Sequence, residues 1–109
     1  MNTLTFNNGT VSVGDVFASS WGYEQTNVNF FQVISVHGKT TVTVRQINAD
    51  THIQHSMAGY KTPSLNHFNG EPLKRRVRDF FNKPAICIWE YEMAYKTHPE
   101  EKHFFSSYY

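Results

Sequence analysis

Val28-Asn-Phe-Phe-Gln-Val-Ile-Ser-Val-His37-Gly-Lys-Thr-Thr-Val-Thr-Val-Arg-Gln-Ile47 decides the fold class. Its second half, from Thr40 to Ile47, alternates Thr and Val in a β-branched run, the composition that packs well on a pleated surface and poorly in a helix. His37-Gly38-Lys39 is short enough for a hairpin connection, and glycine supplies the backbone freedom such a turn needs. In the first half, Val28, Phe30, Gln32, Ile34 and Val36 alternate with Asn29, Phe31, Val33, Ser35 and His37. Both sets hold apolar residues, which predicts a central, bent strand covered on both faces.

Working outward, Thr10 to Trp21 also reads as strand, interrupted at Gly14-Asp15 by a bulge or bend. Met1 to Gly9 is polar and ends in the turn signal Asn7-Asn8-Gly9, so a frayed or edge segment is expected. Between Ser19 and Asn27 the alternation stops in a polar and aromatic corner where the chain should reverse. Asn48 to Glu71 loses the period of two. A short helical turn from Asp50 to Gly59, capped by Asp50 or Thr51, within a functional insertion is the expectation there. Pro72 to Arg78 reads as an edge strand, since Pro and Lys are tolerated at edges. Ala85 to Tyr95 alternates again, and Thr97-His98-Pro99-Glu100 turns the chain into an aromatic ending. Together these segments predict a mainly β protein: a small SH3-like antiparallel barrel, or a strongly bent sheet of about five to six strands, with a long, partly helical insertion.

The chain has 109 residues, enough for one modest core, so residues 1–109 are expected to form a single domain. Aromatic residues make up 16% against 17% charged, which predicts a core of a few large rings and leaves others for a binding surface. The formal net charge of +1 falls short of a dedicated nucleic-acid domain, but its distribution is uneven. Lys74, Arg75, Arg76, Arg78 and Lys83 are opposed locally only by Asp79, so the remainder is net acidic. Cys87, the single cysteine, lies in an apolar run and reads as an inert core residue in a reducing compartment. The start lacks a leader pattern and no apolar run is long enough to span a bilayer, which predicts a cytoplasmic protein. Six histidines invite a metal reading, but no Cys pair or His-Glu-x-x-His spacing accompanies them. Neither a metal nor a cofactor is expected.

Two stretches carry candidate binding residues. In the corner, Trp21 and Tyr23 offer rigid contact area while Glu24, Gln25 and Asn27 offer donors and acceptors. The alternative there is structural, with Trp21 capping a barrel and its polar neighbours bonding loop backbone. In Lys74-Arg75-Arg76-Val77-Arg78, strand geometry would align Lys74, Arg76 and Arg78 on one face, a spacing suited to successive phosphates, with Phe80 and Phe81 available for stacking. The bland counterpart is a solvated edge strand that uses charge for solubility. A general-base role for Glu24 has no partner histidine in the pattern, so no catalytic residue is expected.

The segment Gly14-Asp-Val-Phe-Ala-Ser-Ser-Trp-Gly-Tyr-Glu-Gln-Thr-Asn-Val-Asn-Phe-Phe-Gln-Val33, with Thr41-Val-Thr-Val-Arg45, resembles a group of small proteins encoded by bacteriophages and other mobile elements. The basic stretch from Leu73 to Val77 and the ending Phe104-Phe-Ser-Ser-Tyr108 extend the resemblance, while 48–70 and 82–86 depart from it. It implies a non-enzymatic accessory protein of the host bacterium's cytoplasm. On this resemblance such a protein is expected to bind a host or defence-system protein as an inhibitor of the anti-CRISPR or anti-restriction kind. The alternative is a nucleic-acid-binding SH3-like module that holds DNA or RNA with Lys74 to Arg78. A small histidine-metal hydrolase is a third, less supported class. Oligomeric state is not predicted.

Overall fold

In a computed structural model, residues 3–21, 27–55, 58–79, 82–90, 92–101 and 103–106 are described, with backbone alone at 20, 21, 27, 54, 55, 58 and 104–106. Ten strands account for most of them: β1 Thr3–Phe6, β2 Gly9–Ser12, β3 Val16–Trp21, β4 Asn27–His37, β5 Thr41–His55, β6 Ala58–Phe68, β7 Leu73–Arg78, β8 Ala85–Trp89, β9 Glu92–Thr97 and β10 His103–Ser106. The principal sheet runs β10-β6-β5-β4-β3-β9-β8-β7, and β7 pairs back onto β5. That last pairing closes β5, β4, β3, β9, β8 and β7 into a six-stranded antiparallel barrel, which leaves β6 and β10 outside it.

The barrel interior is aliphatic and aromatic: Phe17, Phe31, Val33, Val42, Val44, Val77, Ile86, Ile88 and Ala94 pack together inside, joined by Leu4 and Val11 from the β1–β2 hairpin. That hairpin lies against the end of the barrel where β3 begins, held by the Lys96 Nζ hydrogen bond to the Thr10 carbonyl (2.7 Å) and by Lys96 to Asp15 (3.4 Å). The expected frayed start is thus a hairpin in its own right. The bend at Gly14-Asp15 is present as a turn, with Gly14 at φ 96°, Ser12 N–H donating to Asp15 Oδ2 and Gly14 N–H donating to the Val33 carbonyl.

The predicted bend in β4 is a bulge at Ile34, where the pairing steps from Val33↔Val44 to Ser35↔Thr43. It exchanges the two faces of the strand. Val33 and Val36 both contact the barrel core, while Ser35 and His37 turn outward. The strand expected over Ala85 to Tyr95 is a hairpin, β8 and β9, turned at Glu90 and tightened by a bulge between Cys87 and Trp89. Cys87 is half-buried and its thiol donates to the Trp89 carbonyl. β7 is a barrel-closing strand instead of an edge, pairing β5 through Leu73–Arg76 and β8 through Val77 and Arg78.

No helix occurs among the described residues, and the expected helical turn over Asp50 to Gly59 is overturned. Asp50 pairs with Thr62, Thr51 with Lys61, His52 with Tyr60 and Ile53 with Gly59. β5 runs past the barrel and returns as β6 to form a two-stranded arm, with β10 along its outer side. Cross-strand pairing overrides the local capping signal of Asp50 and Thr51, because the ladder with β6 pairs backbone groups that an isolated turn would leave to water. His52 stacks on Tyr60 across the arm at 4.6 Å. A Cβ placed on Gly59 would lie 2.1 Å from the His52 carbonyl oxygen, so Gly59→Ala must push the two strands apart. We expect this substitution to abolish amide protection in residues 49–53 and 59–62 while leaving the barrel amides protected, as read by hydrogen exchange.

The arm is rooted by a second core on the outer barrel face, where Val16, Ala18, Val28, Phe30 and Ile47 are covered by Ala49 and Phe68. At the root, the pairing jumps from Ile47↔Phe68 to Ala49↔Pro63, looping out 64–67. Asn66 sits there at φ 66°, left-handed, and is clasped by buried Gln32: its N–H donates to Gln32 Oε1 (2.8 Å) and Gln32 Nε2 donates to its Oδ1 (3.0 Å).

His103 of β10 lies edge-on to Phe30 at 5.1 Å and shares a hydrogen bond with Thr97 Oγ1. Burial lowers its pKa below the ordinary 6.5; Glu101 at 3.7 Å opposes this and Lys83 adds to it. A histidine whose folded pKa lies below its unfolded one favours the fold when neutral. Its contribution is therefore complete above about pH 6.5 and is lost as pH falls through the folded value. Thermal unfolding of the wild type should lose midpoint temperature between pH 7.5 and 5 by more than His103→Gln does.

Candidate nucleic-acid interface

β7 alternates as the pattern of Leu73 to Arg78 predicts: Lys74, Arg76 and Arg78 are exposed, and Val77 is buried in the barrel with Leu73 packed beside it. The three cations therefore share the outer face. Barrel closure gives them neighbours that sequence spacing does not reveal. Thr41 of β5 pairs with Arg76 and with His37 of β4, and Thr43 pairs with Lys74 and with Ser35. Two transverse rows result on one outer face, His37–Thr41–Arg76 and Ser35–Thr43–Lys74. No position in either row carries a carboxylate. The β4–β5 turn, with Gly38 at φ 59°, adds exposed Lys39 at one margin.

The small polar residues of these rows are held in place. His37 Nε2 lies 3.0 Å from Ser35 Oγ and 2.8 Å from Thr43 Oγ1, tying β4 to β5 across the face. Along β7, alternate residues recur at roughly 6.6 Å, twice the rise per residue of a strand. Cations and hydroxyls at that step form an array of donors, the set that contacts phosphate oxygens without reading bases. Residues 80 and 81, which include the predicted stacking rings, lie outside the described residues.

Arg75 takes a different place from its neighbours. It shares the inward parity of Leu73 and Val77, and its Nε and Nη2 both donate to the Ile88 carbonyl, at 3.1 and 3.0 Å, while Nη1 donates to the Lys74 carbonyl. β7 and β8 are paired only at Val77 and Arg78, so this guanidinium bridges the seam beyond the last ladder bond. It also lies over the half-exposed Trp89 ring, 5.1 Å from the centroid. The structure thus puts Lys74, Arg76 and Arg78 together on the outer face and gives Arg75 to the barrel wall.

Of the corner residues, Tyr23, Glu24 and Gln25 lie outside the described residues. Trp21 and Asn27 are placed by their backbone as the last pair of the β3–β4 ladder, so the chain does reverse between them. That end of the barrel is the one away from the β1–β2 hairpin.

Among the described residues no group of three or more His, Cys, Asp or Glu is arranged to hold a metal ion. Ser64 Oγ and His67 Nδ1 approach to 2.5 Å within the looped-out segment at the arm's root, a local contact three residues apart. No helix among the described residues is long and apolar enough to cross a membrane. Comparison of the chain with protein-family models, with curated proteins and with solved structures finds no match.

Proposed function

We propose that this protein is a non-enzymatic binding module whose β4–β5–β7 face takes the phosphate backbone of DNA or RNA. The observation that carries this reading is the pair of transverse rows, in which Lys74 and Arg76 are flanked by Thr41, Thr43, Ser35 and His37 with no carboxylate among them. The closed small barrel is of the SH3-like kind on this reading, a scaffold that leaves function to its surfaces. Backbone contacts of this type predict affinity that falls steeply with salt and depends little on sequence. Fluorescence anisotropy of labelled single- and double-stranded DNA and RNA, titrated at low and physiological salt, tests it; absence of salt-sensitive binding to all four removes the proposal.

A second reading is supported by Trp89 and Arg75 beside it, since Trp and Arg are among the residue types enriched where protein interfaces concentrate their binding energy. With the resemblance to phage and mobile-element proteins, it makes the chain an inhibitor that docks on a host-defence complex in the bacterial cytoplasm, an acidic protein surface meeting the same cationic face. Capture of one defence complex from host lysate, surviving nuclease treatment, is the result this second reading requires.

A further inference from the structure

Inside the barrel the inward-facing row changes character at the end where β3 finishes. Beyond Phe17, Phe31, Val44 and Ala94 come Ser19, Asn29, Gln46 and Glu92, one from each of four adjacent strands. These four form a continuous hydrogen-bonded chain. Ser19 Oγ and Asn29 Nδ2 (3.3 Å) both donate to Glu92 Oε2, and Asn29 Oδ1 accepts from Gln46 Nε2 at 3.4 Å. Glu92 is only 6% exposed, yet its donors are neutral, and among the described residues no cation lies within ion-pair distance of it.

Asn29, Gln46 and Glu92 of this row line a cleft of about 320 Å³ at that end of the barrel. Glu92 and Glu71 both line it, together with Asn29, Gln46 and the half-exposed Trp89. Phe31 and Leu73 supply the apolar part of the lining. From this arrangement we propose that the mouth is a receptor for a cationic group, a primary ammonium or a guanidinium carried on a slender aliphatic stem.

Several features select that chemistry. A carboxylate withdrawn from water costs free energy unless charge or hydrogen bonds compensate it, and two neutral donors on one oxygen compensate only in part. A second carboxylate on the same cleft excludes anions and raises the attraction for a cation. The volume is at the lower end for a ligand site, room for an alkyl chain with a charged head and too little for a larger cofactor. Phe31 and Leu73 suit the methylenes of the stem, and Trp89 presents a ring face of the kind that attracts cations. The neighbouring Arg75 also lies over that ring, with three of its five N–H groups given to the Ile88 and Lys74 carbonyls. With no third His, Cys, Asp or Glu converging among the described residues, the donor set suits an organic cation better than a metal ion.

The test is a titration of the full ¹⁵N-labelled chain with n-butylammonium and n-butylguanidinium, with n-butanol as the neutral isostere, followed by ¹H–¹⁵N spectra. The Trp89 indole and the side-chain amides of Asn29 and Gln46 should shift saturably with the cations and not with butanol. Glu92→Gln keeps the volume and an acceptor for Ser19 while removing the charge, and should weaken binding roughly tenfold or more, the loss expected of a buried charge-assisted bond. Glu71→Gln, at an exposed position with little folding risk, should weaken it about two- to fivefold. Equal shifts with butanol, no saturation, or equal affinity in wild type and both variants would overturn the proposal. Should Glu92→Gln not fold, Glu71→Gln and the butanol control decide alone. Within a positive result, Nα-acetyl-lysine methylamide binding tighter than putrescine assigns the cation to a protein side chain, and the reverse order assigns it to a free polyamine.

Discussion

Changing Lys74, Arg76 and Arg78 together to Glu is expected to abolish nucleic-acid binding at physiological salt while leaving the unfolding temperature nearly unchanged. All three side chains are exposed on the outer face of β7, so their replacement touches no core contact. Three phosphate contacts on a duplex give a slope of about −2.7 in log affinity against log salt, a loss on the order of 40-fold between 50 and 200 mM. The wild type should show at least that slope, with the hydroxyls of Thr41 and Thr43 adding contacts that salt leaves largely alone. Each single substitution should lower the slope by about one contact. Arg75→Ala behaves differently because its guanidinium bonds the Ile88 carbonyl: it should lower thermal stability and leave the salt slope where it was. A fold-intact triple mutant that still binds with the wild-type slope would remove the β7 face from the account.

Phe30→Ala should carry the largest stability cost, about 3–5 kcal/mol, as expected for truncating a large buried ring. Phe30 is fully buried, and it stands at the centre of the outer core among Val16, Ala18, Val28 and Ile47, with His103 of β10 against its edge. A cavity there loosens the cover on the outer barrel face before the barrel itself. Chemical denaturation should show the lower stability, and hydrogen exchange should show β6 and β10 losing protection first, with Val42, Val44 and Ile86 of the inner core last. Simultaneous loss everywhere would mean the two cores melt as one unit.

The contrast between those cores explains what was legible in the sequence. Val28 to Ile47 reads as a hairpin because β-branched and aromatic residues fill both of its faces around a short glycine turn, and both faces are buried, one in each core. The bulge at Ile34 was legible as bending and not as a change of face, since Val33 and Val36 look alike in composition wherever they point. The arm was lost for the opposite reason. Asp50, Thr51, His52 and Ile53 are all exposed, so no alternation marks them, and Asp50 and Thr51 imitate a helix cap. Lys74, Arg76 and Arg78 were legible as one face of a strand. Their partners Thr41, Thr43, Ser35 and His37 were not, because the β5–β7 pairing joins residues more than thirty positions apart. The polar row in the mouth leaves even less trace: Ser19, Asn29, Gln46 and Glu92 are scattered over four strands, and no spacing in the sequence links them.

The joint where β5 leaves the barrel has a consequence for how such a chain can change over generations. Ile47↔Phe68 is the last pair governed by the barrel and Ala49↔Pro63 the first governed by the arm, with Asn48 set against four looped residues between them. Insertions or deletions within a continuous ladder turn every following side chain to the wrong face. Here the register break at Asn48 and Ser64–His67 already uncouples the two ladders, with Asn66 held to the barrel by Gln32. The arm is thus free to lengthen, shorten or invert its faces by small indels while the barrel beneath keeps its register, so the same scaffold can trade one arm for another.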